Sequence, residues 1–413
     1  MQCDFIFFAQ SISQGARKIL DSDWEGFVRK AAISAIKSKL DLGSKVLCVE
    51  RPVIFFTTPF LHFLKFKRWV LQKDILRAIA ENLYVHLPCL FLPDYLFLNR
   101  NFFTLINRKL LRHQLAGVLR KCGFKAERRV VWVYYPFQIE SLGLLDEDLV
   151  IFECYDEYAA SDELLSKKTR EIVIKKEVEL LKRADIVFTT SKLLYENKRK
   201  HNGNTHYLPN AADINYYRRL QSPKIRENLI MEKIKKPIIG YFGTIHNRTD
   251  IELLAYAAQK RPDWSFVLIG PLEKGYDQTG AYKEFEYLPN AHLLGWINND
   301  ELLGYLKAFD VCVIPYKVDS EFNQNVNPSK MHEYTAMGKP VVSTNLPEVQ
   351  SYKGIIYIAN NQDEFIDLIE KAMQEDSKEK IAERLRKAEE NSWDKRAEEI
   401  LSIIKDTMKR KFL

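Results

Sequence analysis

No two of the six cysteines form a CxxC pair. They stand at positions 3, 48, 89, 122, 154 and 312, so neither a zinc site nor a disulfide framework is indicated, and a reducing compartment is expected. Long apolar runs are missing as well. The longest, Val53 to Leu64, falls short of the ~20 residues that cross a bilayer. The greasy stretch from Leu83 to Leu98 is interrupted by Pro88, Pro93 and Asp94, so an integral membrane protein is not expected. The short run Phe5 to Phe8 has no basic flank before it and no cleavage pattern after it, which argues against a secretory signal. Repeats of solenoid length are absent, and so is a GxGxxG fingerprint. What remains is a globular composition, 46% hydrophobic and 28% charged, too apolar for a disordered chain. At 413 residues the chain is expected to form two domains.

The net charge of +7 is unevenly placed. Residues 51–130 hold 15 basic and 4 acidic residues, a local net of +11, whereas the remainder nets −4. The same block is rich in aromatics, among them Phe55, Phe56, Phe60, Trp69, Phe91, Tyr95, Phe102 and Phe103. In His62 to Trp69, large apolar and cationic side chains alternate within two helical turns, which is how a segment anchors itself at an anionic membrane surface. No known nucleic-acid module accompanies the block, so nucleic acid is not an expected partner.

Short apolar runs alternate with helical patterns along the whole chain, the signature of parallel βαβ units and an α/β fold. In the first half, strands are expected at Asp4 to Ala9, Lys45 to Glu50, Arg129 to Tyr135, Leu149 to Cys154 and Asp185 to Thr190. Helices are expected at Trp24 to Leu40 and at Glu171 to Ala184, where Ile174, Val178 and Leu181 share a face; Ser191 is placed to cap another. The charged stretch 214–236 breaks the pattern and reads as a linker between domains 1–213 and 237–390. A second series follows, with strands at Ile238 to Phe242, Ser265 to Ile269, His292 to Leu294, Val311 to Ile314, Pro340 to Ser343 and Ile355 to Ile358. Phe365, Leu368, Ile369 and Ala372 mark one helix; Trp393, Ala397, Ile400, Leu401 and Ile404 make an apolar stripe on the tail, 391–413.

Two segments carry chemistry. In Ile238 to Ile245 a buried strand turns at Gly243 toward a helix near Asp250, a geometry that lets backbone approach a phosphate. In Asn325 to Pro340, Asn327 is placed as N-cap, Pro328 as first helical residue and Gly338 as the stop beyond the end. The amides of Ser329 and Lys330 would then face an anion, with the Lys330 charge beside them. Glu333, one turn further in, is suited to a diol, since a carboxylate accepts two hydroxyl hydrogen bonds well.

The run NPSKMHEYTAMGKPVVSTNLPEV resembles the nucleotide-sugar site of retaining GT-B glycosyltransferases, family 4 by the usual classification. GYFGTIHNRTDIELLAYAAQKRPDWSFVLIGP, HLLGWINNDELLGYLKAFDVCVIPYK, the TTS at 189–191, the LPNAAD at 208–213 and the tail SWDKRAEEIL are similar to further parts of that family. The resemblance spans about residues 129–405 and is weak over 51–128. It implies an α/β GT-B architecture, two Rossmann-like domains facing each other across a cleft, the tail helix crossing back to the N-terminal one. It places the ribose on Glu333. The family's first Glu of its Glu-x7-Glu motif falls on Asn325, and its Arg after the glycine falls on Thr244. Arg248 and Lys330 are then the expected diphosphate ligands, and the backbone around Trp296 meets the base. The family's N-terminal histidine is not found, and Asp156, at the end of a strand, is the expected acceptor-side carboxylate.

The resemblance therefore implies transfer of a sugar from a UDP- or GDP-linked donor to a glycan or lipid-linked acceptor, with retention and without a metal or other cofactor, in surface-polysaccharide or glycolipid synthesis. The letters DxD occur only as Asp21-Ser22-Asp23, away from a strand end. The expected donor-site set is Gly243, Thr244, Trp296, Asn325, Asn327, Ser329, Lys330 and Glu333, and the catalytic set Asp156, Arg248 and Lys330. A cytoplasmic location is expected, with docking on the inner leaflet of the plasma membrane. Two other readings stand beside this one: a catalytically silent interaction protein of the same shell, and a nucleotide-sugar epimerase.

Overall fold

The computed structural model describes residues 3–11, 44–52, 75–87, 101–160, 167–273 and 275–412. The helix expected at Trp24 to Leu40, the Asp21-Ser22-Asp23 loop and the segment His62 to Trp69 lie outside the described residues. The chain divides into two compact units, unit 1 with Met1–Leu208 and Ala397–Leu413, and unit 2 with Pro209–Arg396.

In unit 1, eight described strands make one sheet: β1 (Cys3–Ser11), β2 (Val46–Pro52), β3 (Ile75–Ala80), β4 (Leu83–Leu87), β5 (Arg128–Val133), β6 (Leu149–Cys154), β7 (Ile186–Thr189) and β8 (Thr205–Tyr207). Their order is β3-β4-β2-β1-β5-β6-β7-β8, parallel except for the β3–β4 pair. That hairpin was not expected. Its turn, Glu81-Asn82, contains neither glycine nor proline, and Asn82 itself takes the left-handed conformation at φ 57°. Helix α1 (Asn101–Lys121) buries Leu111, Leu115, Val118 and Leu119 at helical spacing.

Helix α2 (Lys167–Arg183) corrects the expected apolar face. Val173, Glu177, Leu180 and Leu181 are buried, while Ile174 is exposed. The face is rotated by one residue because Glu177 goes inward to an ion pair with Lys198, at the end of α3 (Lys192–Lys198). Ser191 caps α3 as expected, accepting from the Leu194 N–H at 3.2 Å.

Unit 2 holds a parallel sheet of β9 (Ile238–Phe242), β10 (Ser265–Ile269), β11 (Ala291–Gly295), β12 (Val311–Ile314), β13 (Val341–Thr344) and β14 (Tyr357–Ala359), in the order β11-β10-β9-β12-β13-β14. Its central strands β9, β10, β12 and β13 are short apolar runs buried on both faces, which is why they were readable, whereas the edge strands β11 and β14 are only half-buried. Around them lie α4 (Ile214–Arg218), α5 (Ile251–Lys260), α6 (Ser329–Ala336), α7 (Gln362–Gln374) and α8 (Lys378–Glu390). The stretch 214–236, read as a linker, packs into this unit: Tyr217, Leu220 and Met231 join its core. Helix α9 (Trp393–Phe412) begins in unit 2 and ends in unit 1, and buries Trp393, Ala397, Ile400, Leu401, Ile404 and Met408.

Candidate functional site

Strand β9 has β10 on one side and β12 on the other, so the winding of the sheet of unit 2 reverses beside it. In parallel sheets ligands collect at the carboxyl ends of the strands next to such a point. There Gly243 follows β9 with φ +141°, a conformation that side chains resist. Space makes the same demand, because a Cβ on Gly243 would lie 2.4 Å from Cε and Nζ of Lys330. Gly270, after β10, has φ +143°, and a Cβ there would sit 2.1 Å from the Gly243 carbonyl oxygen. The two glycines let two strand ends close together beneath the lysine.

Lys330 comes from the first turn of α6. Its Nζ donates to the Tyr316 hydroxyl at 3.0 Å and stands 5.2 Å from the Tyr241 ring centre. Burial opposes its charge, but Tyr241, Tyr316 and Glu333 outweigh that and raise its pKa above the ordinary lysine value. The amides of a first helical turn have no partners within the helix, and in α6 the first inward bond is from the Met331 N–H to the Pro328 carbonyl. An ammonium beside such amides is a site for an anion.

The start of α6 corrects one expectation. Its cap is Pro328, with no side-chain cap bond, rather than Asn327. Asn327 is drawn back into a buried network: Nδ2 donates to Glu348 Oε2 at 2.7 Å, and Oδ1 accepts from the Asn210 N–H at 3.2 Å and from His332 Nε2 at 2.8 Å. His332 is neutral, with the Tyr352 hydroxyl on its Nδ1 at 2.8 Å. Its pKa is pushed down to about 3 by burial, with the Arg396 and Lys387 charges adding to the effect. The Asn327 side chain is therefore engaged in holding the entry to α6. Gly338, at φ +72°, ends the helix as expected.

Glu333 lies one turn beyond Ser329 and Lys330. Burial raises its pKa; Lys330 and hydrogen bonds from the Tyr217 and Ser329 hydroxyls pull the other way. It is thus a carboxylate set among two hydroxyls and a neighbouring ammonium.

The loop after β9 brings in Arg248, whose guanidinium lies 4.0 Å from the centre of the Phe322 ring. Its carbonyl accepts from the Lys317 N–H and from Asn323 Nδ2, both at 3.0 Å, which pins the loop to the segment after β12. Asn325 follows in that segment. It is 6% exposed; its Nδ2 donates to the Glu321 carbonyl at 2.8 Å, and its buried Oδ1 has no partner among the described residues. An unpaired buried acceptor is unusual in a folded protein. His246, in the same loop, accepts from the Arg248 N–H at Nδ1 (3.2 Å), so its proton sits on Nε2. Burial and the Arg248 and Lys330 charges push its pKa down to about 3. Thr244 is exposed, and its carbonyl accepts from the Tyr241 hydroxyl at 2.9 Å. Trp296 is exposed just after Gly295, whose carbonyl receives the Gly270 N–H at 2.7 Å.

Asp156 stands in unit 1, half-buried beyond the end of β6, with its carbonyl 3.5 Å from the Cys154 thiol. Next to it Glu157 pairs with Lys198 at 3.1 Å. Unit 2 therefore gathers Gly243, Arg248, Asn325, Ser329, Lys330 and Glu333 around the end of β9, while Asp156 belongs to the other unit. Four participants escaped the sequence reading. Gly270 repeats the strand–glycine pattern of Gly243 and could have been found by it. Tyr217, His246 and Tyr316 reach the site only through tertiary folding.

A family model described as glycosyl transferases group 1 matches residues 236–375, all within unit 2. The putative teichuronic acid biosynthesis glycosyltransferase TuaH of Bacillus subtilis (strain 168) is 30% identical over 272 residues, which cover 62% of this chain and 67% of that protein. Among solved structures, the sucrose-phosphate synthase of Thermosynechococcus elongatus matches with a TM-score of 0.65 at 14% identity, over 98% of this chain and 99% of the other. HepE of Anabaena, solved with UDP and glucose, matches with a TM-score of 0.60 at 14% identity, over 98% and 99%. Identities this low speak for the fold alone, an α/β GT-B architecture of two Rossmann-like domains.

Proposed function

The chain belongs to the group 1 glycosyl transferases, and from that premise we propose that it moves a sugar from a UDP- or GDP-linked donor, bound in unit 2, to a glycan or lipid-linked acceptor, with retention and without a metal. The observation that carries this reading is the convergence of Lys330, the start of α6 and Glu333 at the reversal point of the sheet. Breaking the bond from the anomeric carbon to the diphosphate builds negative charge on the leaving group. Lys330, Arg248 and the first amides of α6 are the groups that would meet it, and preorganised charges of this kind supply large terms in catalysis. Glu333 would accept from the ribose hydroxyls. The unpaired Asn325 Oδ1 offers an acceptor to a hydroxyl of the donor sugar. Asp156 would hold the acceptor hydroxyl.

Calorimetry with UDP and GDP tests the donor half. Glu333→Ala is expected to weaken binding of the better nucleotide by roughly 2–4 kcal/mol without unfolding the protein; unchanged affinity removes the ribose assignment. A thermal-shift screen of nucleotide sugars then names the donor, because a ligand of the folded state raises Tm. Product analysis separates the rival readings. A new free nucleotide sugar formed without acceptor means an epimerase; saturable binding with no turnover means a silent binder.

For the acceptor half we propose docking on an anionic membrane surface, the inner leaflet of the plasma membrane, which leaves the enzyme cytoplasmic. The described part of the basic block supports this: α1 carries Arg108, Lys109, Arg112, Arg120 and Lys121 and no acidic residue. Each cation near such a surface adds about 1 kcal/mol. Cosedimentation is expected with anionic vesicles, to weaken with salt, and to drop when Lys65, Lys67 and Arg68 are changed together to Glu. Equal binding to neutral vesicles removes the electrostatic docking.

A further inference from the structure

Strand β14 is the last of the sheet of unit 2. It lies three places from β9, roughly 14 Å across the sheet at about 4.8 Å per strand. A cleft of about 640 Å³ opens along it, walled by β14, by the segment after β13 and by α7 and α8. Sites for small ligands run from about 300 to 1,000 Å³. Gly243, Arg248, Asn325, Ser329, Lys330 and Glu333 take no part in the wall.

Three amides in the wall form a chain. Gln350 Nε2 donates to Asn345 Oδ1 at 2.6 Å, Asn345 Nδ2 to Asn360 Oδ1 at 2.8 Å, and Asn360 Nδ2 to Glu364 Oε2 at 2.9 Å. The Asn360 N–H donates to the same Glu364 oxygen at 2.8 Å, so the chain ends on a carboxylate held twice. Tyr357 is fixed as well: its hydroxyl donates to Glu375 Oε2 at 2.7 Å and accepts from Lys380 Nζ at 2.9 Å. A primary amide has two N–H donors and two acceptor lone pairs. Gln350, Asn345 and Asn360 therefore each keep an N–H and a lone pair in hand, and all three are exposed.

Charge narrows the choice of ligand. The wall holds three cations, Lys353, Lys380 and Arg384, and three carboxylates, Glu364, Glu375 and Glu383. Lys380 is paired with Glu375 at 2.6 Å, and Arg384 with Asp376. A wall in balance gives a phosphate or a nucleotide no charge to answer its own. An apolar ligand would strip water from the amides without pairing them. Strand β14 has only three residues, too few to offer an added peptide strand much of a ladder. A neutral polyhydroxylated ligand meets the wall on its own terms, because each hydroxyl donates and accepts, as each amide does. We propose that this cleft is a second carbohydrate site, which holds a neutral stretch of glycan chain away from the donor site. The proposal goes beyond the donor reading and shares no residue with it.

The test is an array of neutral oligosaccharides that includes maltoheptaose, cellohexaose and chitohexaose, followed by calorimetry of the best binder in solution. Wild type is expected to retain at least one of them. Asn345→Ala and Asn360→Ala, both at exposed positions, should each weaken that binding about five- to tenfold, the worth of one hydrogen bond or two between neutral groups. Tm and UDP affinity should stay as in wild type. An array without a binder overturns the proposal. So does full affinity in both variants, which would put the oligosaccharide elsewhere on the protein. Displacement of the oligosaccharide by inorganic phosphate overturns it too, by making this an anion site, and so does a matching loss of UDP affinity in the variants, which would merge the cleft with the donor site. Oligosaccharide binding that obeys the two variants in a protein that binds neither UDP nor GDP would overturn the donor reading and leave the cleft standing.

Discussion

Each unit contains a buried lysine, and the two are used in opposite ways. In unit 1, Lys198 is 5% exposed and donates to Glu177 at 2.8 Å and Glu157 at 3.1 Å. Two carboxylates answer one ammonium, and the Cys154 thiol adds a contact to Glu177 at 3.6 Å. In unit 2, Lys330 has a neutral hydroxyl at 3.0 Å, and among the described residues Glu333 is the carboxylate whose charge supports it. The first arrangement closes on itself and leaves no charge over. The second leaves positive charge to spare beside helix amides, which is what an anionic substrate needs. Buried charge alone does not mark a site; the balance of its partners does.

Breaking the closed pair has the largest expected effect. Lys198→Met leaves Glu177 without its cation and should cost about 3–5 kcal/mol of stability in denaturant unfolding. Adding Glu177→Met should restore most of it. If the single variant is as stable as wild type, the pair is not closed in the sense argued here. Acid should separate the units next. His332, 1% exposed, has a folded pKa of about 3 against 6.5 for a free histidine, so the unfolded chain takes the proton first. Stability is present above pH 6.5 and falls as the pH drops from there toward 3, with a slope on the order of 1.4 kcal/mol per pH unit. His332→Gln should flatten the fall in Tm between pH 6.5 and 4.5; an unchanged slope would assign the effect elsewhere.

The open lysine gives smaller and more selective effects. Lys330→Met should lower UDP affinity by roughly 1.5–3 kcal/mol while leaving uridine affinity and Tm nearly unchanged. Arg248→Ala should act in the same sense. Equal losses for UDP and uridine would mean that neither residue reads the diphosphate. The smallest effect runs the other way. Because burial raises the pKa of Glu333, its ionised form costs stability that is present below the unfolded pKa and lost as the pH rises through the folded one. Glu333→Gln should therefore stabilise the fold at pH 7 by under about 1 kcal/mol, read as a small rise in Tm, with the gain vanishing below pH ~4.5. A Tm that falls at pH 7 would show that the carboxylate stabilises its surroundings.

Unit 2 was the more legible half because its chemistry is local. Gly243 announces its turn, and Ser329, Lys330 and Glu333 share one face of a short helix at positions any helix would bring together. Asn327 misled because an asparagine before Pro-Ser is an ideal capping type; only the fold shows Glu348, Asn210 and His332 claiming its side chain. Glu177 misled in the same way, since periodicity places charge outward and cannot see a lysine arriving from another helix. Strand β8, three residues long, is below the length at which alternation means anything. Tyr217, His246 and Tyr316 act through distance in sequence, and no local pattern encodes that.

Helix α9 has a consequence for biosynthesis. Unit 1 takes its last component from residues 397–412, whereas residues 209–396 complete unit 2. On the ribosome the donor-site unit can therefore finish first, reversing the usual N-terminal-first order. Until the last segment emerges, unit 1 lacks the apolar stripe of Ile400, Leu401, Ile404 and Met408 that it buries when complete. Truncation after residue 396, or a bulky C-terminal fusion, should thus injure the unit that holds Asp156 and spare the one that holds Lys330. Chaperone dependence during synthesis should be greatest in the interval between those two events.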